Sequence, residues 1–103
     1  MKLTQEEVIT YLRRNGLEEN PQHQALNIAE EAGEVARAVL KRVQGIRGSY
    51  EHWTEEIRTE AADVLISLMC LAEIEGWDLG DAVDERWNVV INRELDKHRH
   101  EAS

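Results

Sequence analysis

One proline and six glycines punctuate this sequence of 103 residues, and they divide it into stretches that can form continuous helices. Asn20 followed by Pro21 is a favourable start for a helix, while Gly16, Gly45 and Gly76 are placed where helices end. Apolar and polar side chains do not alternate over any five residues, so strands are not expected. The punctuation therefore predicts an all-α fold with four helices.

The ends of the four helices can be predicted from capping residues. Thr4 with Glu7 forms a capping box, Asn20 caps the second helix, and Asp78 caps the fourth. The predicted helices run from Thr4 to about Arg14, from Pro21 to near Gln44, from Ser49 or Thr54 to Gly76, and from Asp78 into a basic tail that frays from about residue 97. A chain of this length is predicted to form one domain, residues 1–103, and its small core favours self-association.

Charge and hydropathy argue against two classes of partner. The net charge of −9 argues against nucleic-acid binding, which requires clustered basic side chains. The longest apolar run, VLISLMCLA, is far shorter than the about 20 residues of a membrane span. The N-terminus carries no apolar signal segment, and Cys70 is the only cysteine, so no disulfide framework is expected. The sequence predicts a cytoplasmic protein without a nucleic-acid or membrane partner.

The second helix carries an acidic motif, EEAGE, beside an apolar stripe. Glu30, Glu31 and Glu34 are neighbours on the helix surface, because residues three and four apart share a face. The stripe, called the α2 stripe below, consists of Leu26, Ala29, Gly33, Ala36, Leu40 and Val43. On its own, such a motif most often forms a solvated acidic face, and that interpretation stays open at this point.

The third helix places two acids among apolar side chains. From Ala61 to Ala72 it is apolar almost all round, which predicts a helix buried on most sides. Glu60 points in the same direction as apolar residues one and three turns later, and Asp63 points in the same direction as apolar residues two and three turns later. Because a buried, unpaired carboxylate is very costly, these acids must be protonated, paired with a base such as Arg37, or bound to a metal ion.

Antiparallel packing of the second and third helices would gather their acids into one cluster. The segment between Glu34 and Glu60 is long enough for a helix end, a loop and the returning helix. An all-oxygen cluster without histidine suits Mg²⁺ or Mn²⁺, and Mg²⁺ in turn suits a substrate with phosphates. The sequence therefore predicts a divalent metal site that serves a phosphorylated substrate.

The segments EEAGEVARAV and EAADVLISLMCLAE resemble the MazG-like, all-α nucleoside triphosphate pyrophosphohydrolases, whose signature is EExxE followed by ExxD on neighbouring helices. The resemblance covers roughly residues 22–95. It implies a four-helix bundle that assembles as a dimer or a dimer of dimers. It also implies Mg²⁺-dependent hydrolysis of nucleoside triphosphates, with deoxynucleotides and non-standard nucleotides as candidate substrates, to the monophosphate and pyrophosphate.

The resemblance implies roles for matching positions of this chain. The implied metal ligands are Glu31, Glu34, Glu60 and Asp63. Glu30 is implied to be catalytic, either by binding a further metal ion or by positioning the water, and Arg93 and Lys97 are implied to hold the phosphates. Independently of the family, Asn27 and Trp53 are candidates for contacts with the sugar or base; the alternatives are a solvated amide and a packed aromatic ring.

Two other functions remain open. Phosphoribosyl-ATP pyrophosphohydrolase is similar in its acidic segments, but it usually has a lysine before the first motif, where this chain has Asn27 and Ile28. The other alternative is a non-catalytic helical interaction module whose acids only solvate a face. A di-iron carboxylate bundle is disfavoured, because the ExxH motifs that it needs are absent from the second to fourth helices.

Overall fold

Four α-helices follow one another along the chain in the computed structural model, which describes residues 1–17 and 19–102 and their side chains through Arg99. The helices are α1 (Gln5–Arg14), α2 (Pro21–Gln44), α3 (Tyr50–Glu75) and α4 (Leu79–Ala102). These described residues contain no strand, which confirms the predicted all-α class. None of the four helices, over the part described, has the length and apolar character of a membrane span. The last helix continues through Ala102, and the fraying of the tail from about residue 97 stays a prediction.

Each helix begins at a side-chain cap that the sequence predicts. The capping oxygens belong to Thr4, Asn20, Ser49 and Asp78. Ser49, not Thr54, opens α3, because its hydroxyl accepts the backbone N–H of His52 at 3.0 Å. Gly45 and Gly76 end α2 and α3 with φ angles of +65° and +83°, a left-handed conformation that glycine adopts without steric cost.

Helices α2 and α3 form an antiparallel hairpin, here called the acidic hairpin, joined by residues 45–49. Two hydrogen bonds across it establish its register. Ser67 Oγ on α3 donates to Glu31 Oε2 on α2 at 2.8 Å, and Arg42 Nη1 on α2 donates to Thr54 Oγ1 on α3 at 3.1 Å. An earlier residue of α2 thus pairs with a later residue of α3, which confirms the predicted antiparallel packing.

The core lies where α1 packs against the C-terminal half of α3. Its buried members are Val8, Ile9, Met69 and Cys70, with Leu3, Leu12, Ile74 and Leu79 packed around them. Gln5 connects this core to the turn between α3 and α4. Its Nε2 donates to Glu73 Oε2 at 3.2 Å and to the Trp77 carbonyl at 2.9 Å, and its Oε1 accepts the Leu79 N–H at 2.6 Å. One amide therefore joins three parts of the fold.

The fourth helix leaves the other three and does not complete a bundle with them. It packs on α3 only weakly, and among the described residues no Cα atom of α4 lies within 8 Å of a Cα atom of α2. Side chains 83–99 are all exposed. The radius of gyration is 17.9 Å, against about 13 Å for a compact domain of this length. The four-helix bundle implied by the resemblance is therefore not closed within one chain.

Two apolar surfaces face outward in a single chain. All six residues of the α2 stripe are exposed, with Leu26 at 71% and Val43 at 78%. The opposite side of α2 packs on α3, through residues such as Gln24, Glu31 and Ala38. On α3, residues 61–62 and 65–66 are also exposed. The prediction that α3 is buried on most sides is therefore wrong for the isolated chain, because α1 and α2 cover only part of its circumference.

Candidate functional site

The acidic hairpin brings together the four carboxylates that the sequence analysis names as metal ligands. Glu31 and Glu34 lie on α2, Glu60 and Asp63 lie on α3, and all four are half-buried. Glu31 is placed at the helix interface by its hydrogen bond to Ser67. The antiparallel register sets the other acids opposite one another within a few residues of this contact. The four are called the acidic cluster below.

The other acids lie close enough to Glu60 for their charges to raise the pKa of its carboxyl. Partial burial raises the pKa of Glu60 above its usual value, and the neighbouring carboxylates of Asp63, Glu34, Glu56 and Glu31 raise it further. Both effects disfavour the ionised form. The acidic cluster therefore concentrates negative charge that a cation would neutralise.

Glu56 is an acid near this cluster that the sequence analysis did not single out. It is half-buried on α3, and its charge contributes to the raised pKa of Glu60. The two residues are four positions apart and therefore share a face of the helix. That spacing is the signal in the sequence that could have identified it.

Arg37, the basic residue considered as an alternative partner, neutralises the cluster only in part. Its Nη1 lies 3.6 Å from Glu34 Oε2, one turn away on the same helix, and the Arg37 side chain is exposed while that of Glu34 is only partly covered. Exposed pairs of this kind contribute little to stability. Within residues 1–17 and 19–99, neither Glu60 nor Asp63 forms an ion pair with a basic side chain.

The donor set of the acidic cluster fits a hard divalent cation. Its members offer only carboxylate oxygens, the ligands that Mg²⁺ and Mn²⁺ prefer. They stand on two helices whose register is set by hydrogen bonds. In the described part of the chain, however, no three His, Cys, Asp or Glu side chains already converge as ligands. Binding of an ion therefore requires side-chain rotations within the cluster.

Glu30 differs from these four acids in its environment. It is exposed on α2, next to Glu31 along the chain. On the helix it lies between the α2 stripe and the face that packs on α3. The structure thus places this predicted catalytic acid at the rim of the cluster, where its carboxylate can meet water.

Asn27 lies at one end of the acidic cluster, one turn before Glu31. It is half-buried and lines a pocket of about 230 Å³ at the start of α2. The other lining residues are Leu12, Gly16, Leu17, His23 and Gln24. The pocket combines apolar surface with amide groups, which is the chemistry that a nucleobase or sugar requires.

Trp53 lies at the other end of the cluster, beside the loop of the hairpin. Its indole N–H donates to the Ile46 carbonyl at 3.1 Å, and its ring meets that of His52 edge-on at 4.7 Å between centroids. The indole N–H thus closes the α2–α3 loop. This contact supports the packing interpretation of Trp53, and its contact with substrate stays a prediction.

The predicted phosphate-binding residues are not part of the cluster within one chain. Arg93 and Lys97 are exposed on α4. Arg93 lies about 21 Å along the helix axis from Leu79, at 1.5 Å per residue. Because no described Cα atom of α4 lies within 8 Å of a Cα atom of α2, the chain does not bring these cations to the α2 face of the cluster.

Comparison with known proteins assigns this arrangement to a family. A family model described as the MazG nucleotide pyrophosphohydrolase domain matches residues 19–100, which include both acidic motifs. No curated protein and no solved structure matches the chain. Since the matched segment covers most of the sequence, the chain belongs to the family of MazG nucleotide pyrophosphohydrolase domains.

Proposed function

We propose that this protein hydrolyses nucleoside triphosphates to the monophosphate and pyrophosphate with Mg²⁺. The observation that supports the proposal is the acidic cluster, four half-buried carboxylates on facing helices. Among the described ion pairs, a basic side chain meets only one of the four, Glu34. Acids that only interact with solvent would be expected to point away from the helix interface, because partial burial of a carboxylate costs free energy. These acids instead lie close enough together at the interface to raise the pKa of Glu60.

The acidic cluster is the set of side chains proposed to hold the metal ion. When bound, Mg²⁺ neutralises phosphate oxygens and lowers the pKa of the attacking water. Mn²⁺, with similar ligand preferences, is the expected substitute. Glu31 and Glu34 contribute from α2, and Glu60 and Asp63 contribute from α3.

Glu30 is proposed to accept the proton in the reaction. The oxygen of a water molecule bonds to the α-phosphorus, and the bond from that phosphorus to the α–β bridging oxygen breaks. Pyrophosphate leaves with the bridging oxygen, and the proton of the water passes to the Glu30 carboxylate. The exposure of Glu30 beside the cluster is consistent with access to that water.

A second copy of the chain is proposed to complete the protein as a homodimer, or as a dimer of dimers. The chain exposes 7844 Å² of surface, whereas a compact monomer of 11.9 kDa exposes about 5,900 Å². The excess, about 1,900 Å², is comparable with what one subunit contributes to a permanent dimer. The surfaces available for it are the α2 stripe, residues 61–62 and 65–66 of α3, and the apolar residues of α4. Such packing offers Arg93 and Lys97 of one copy to the phosphates held by the other.

A nucleoside can reach one end of the acidic cluster in a given chain, but not both. From the hairpin register, Asn27 and Trp53 stand about 25 Å apart along the helix axes. We favour the Asn27 end, because a pocket is present there and the Trp53 indole N–H already bonds to the loop. Asn27→Ala is expected to raise KM by about tenfold, as the loss of one hydrogen bond implies, and Trp53→Phe is expected to leave KM unchanged. The reverse pattern would move the nucleoside to the loop end.

The experiment that tests the function is a panel of ribonucleoside and deoxyribonucleoside triphosphates, standard and non-standard, incubated with the protein and Mg²⁺. The proposal expects equal amounts of pyrophosphate and nucleoside monophosphate. Release of orthophosphate in place of pyrophosphate contradicts it. Phosphoribosyl-ATP belongs in the panel, because turnover of that compound alone would favour the neighbouring enzyme. No turnover of any compound would favour the non-catalytic interaction module.

A further inference from the structure

We propose that Ser67 is a positioning residue that holds the Glu31 carboxylate in place for a divalent cation. The inference rests on the proposed function and deepens it. Ser67 stands on α3 one turn after Asp63, and it is only 8% exposed. Its Oγ donates to Glu31 Oε2 at 2.8 Å, from the helix opposite the one that bears Glu31.

The direction of this hydrogen bond is unusual for a hydroxyl within a helix. Such hydroxyls commonly donate to the backbone carbonyl four residues earlier. Two threonines of this chain do so: Thr10 bonds to the Glu6 carbonyl at 2.7 Å and Thr54 bonds to the Tyr50 carbonyl at 2.9 Å. A serine hydroxyl has a single hydrogen to donate, and Ser67 gives it to a side chain on another helix.

The contact leaves the other oxygen of Glu31 available. A glutamate side chain rotates about three bonds, so an unheld carboxylate samples many orientations. A neutral donor on Oε2 restricts that freedom without adding a positive charge that would compete with a cation. By contrast, Glu34 meets an exposed arginine of its own helix. Partners that orient metal-binding carboxylates in this way typically contribute 10–100-fold to metal affinity.

The test measures metal binding directly. Free Mn²⁺ is followed by electron paramagnetic resonance in titrations of the metal-free full-length protein, and Mg²⁺ is measured by competition. Ser67→Ala is expected to raise the Mn²⁺ dissociation constant by about tenfold, since it removes the hydroxyl and leaves the β-carbon in place as a methyl group. The matched control is Ser49→Ala, which removes the hydroxyl that caps α3. It is expected to lower the melting temperature while leaving Mn²⁺ affinity unchanged.

A double-mutant cycle separates positioning of Glu31 from a general effect on the helix interface. In a Glu31→Gln background, Ser67→Ala is expected to change Mn²⁺ affinity no further. An equal loss in both backgrounds overturns the inference, and so does wild-type affinity in Ser67→Ala. If the wild-type protein binds Mn²⁺ and releases pyrophosphate, either result defeats the role of Ser67 alone. If the wild-type protein binds no Mn²⁺, both the inference and the proposed function fail.

Discussion

The acidic hairpin and α4 belong to one chain, but they differ greatly in how far they pack against other parts of that chain. The two helices of the hairpin are joined by a capped loop and by hydrogen bonds that establish their register. The fourth helix is as long as α2, yet its side chains from residue 83 to 99 are exposed. The comparison teaches that one chain brings the acidic cluster together by itself, whereas it does not bring Arg93 and Lys97 of α4 to that cluster.

The largest expected effect comes from removing a charge from the hairpin. Glu34→Gln and Asp63→Asn are each expected to lower kcat/KM by more than about 100-fold. Loss of a residue that only orients a metal ligand typically costs 10–100-fold, and loss of a ligand itself should cost more. The circular dichroism spectrum is expected to stay helical, since fewer like charges repel. Glu55→Gln is the matched control, as Glu55 is exposed on α3 and pairs with Arg58. Wild-type turnover in either variant would contradict the proposal that the acidic cluster holds the metal ion.

Addition of Mg²⁺ sharpens the comparison, because it should stabilise the hairpin and not α4. A ligand that binds only the folded state contributes about 2.7 kcal/mol at a hundredfold excess over Kd. For a chain of this size, that corresponds to a rise in Tm of roughly 10–20 °C. A non-hydrolysable triphosphate should raise Tm further, because Mg²⁺ keeps coordination positions for phosphate oxygens. Amide hydrogen exchange should slow in α2 and α3.

Other outcomes of that melting experiment separate the alternatives. A Tm that does not change with millimolar Mg²⁺ and any nucleotide would favour a solvated acidic face. Stabilisation by Mg²⁺ with no response to nucleotide would indicate a structural ion. Asp63→Asn serves as the control, since its Tm should no longer respond to Mg²⁺.

A substitution on α4 tests the other side of the comparison. Trp87 is 60% exposed on α4, on the same face as Val83 and Val90. Trp87→Ala is expected to raise the dimer dissociation constant by about 30-fold, equivalent to about 2 kcal/mol, as measured by light scattering across a dilution series. Glu85→Gln, on the opposite side of the helix, should have no effect. A wild-type protein that is monomeric at micromolar concentration would contradict the proposed homodimer or dimer of dimers.

The smallest expected effect is the pH dependence of the metal-free hairpin. Since the folded state raises the pKa of Glu60, it binds that proton more tightly than the unfolded chain does. This contribution to stability is fully present below the usual value of 4.5 and is lost as pH rises through the raised pKa. Urea unfolding in the presence of a chelator should therefore find Glu60→Gln more stable than wild type at neutral pH. A difference between the two proteins that is the same at every pH would contradict this.

The helices could be predicted from the sequence because their ends depend on nearby residues. Thr4, Asn20 and Asp78 cap helices through backbone groups two or three positions away, so their roles can be predicted from the neighbouring sequence. The choice between Ser49 and Thr54 needed the structure, since both residues can cap. In fact Thr54 donates to a carbonyl of its own helix and accepts from Arg42.

What could not be predicted depends on which surfaces meet. Two opposite faces of α2 follow the helical period, and nothing in the period tells which one packs within the chain. The apolar α2 stripe turned out to face outward, while the side that bears Glu31 packs on α3. The contact between Glu31 and Ser67 could not be predicted for the same reason, because it joins residues 36 positions apart.

The amide of Gln5 determines where α4 begins. Its oxygen accepts the first N–H of α4, and its nitrogen binds the end of α3 and the turn that follows. Small changes of angle at that point are magnified along a helix of about 36 Å, at 1.5 Å per residue, so the far end of α4 moves by several times the displacement at Gln5. A glutamine carries no charge at any pH, so the Gln5 amide can make its bonds to the Trp77 carbonyl and the Leu79 N–H at every pH. The direction of the exposed helix α4 thus depends on the hydrogen bonds of one uncharged side chain.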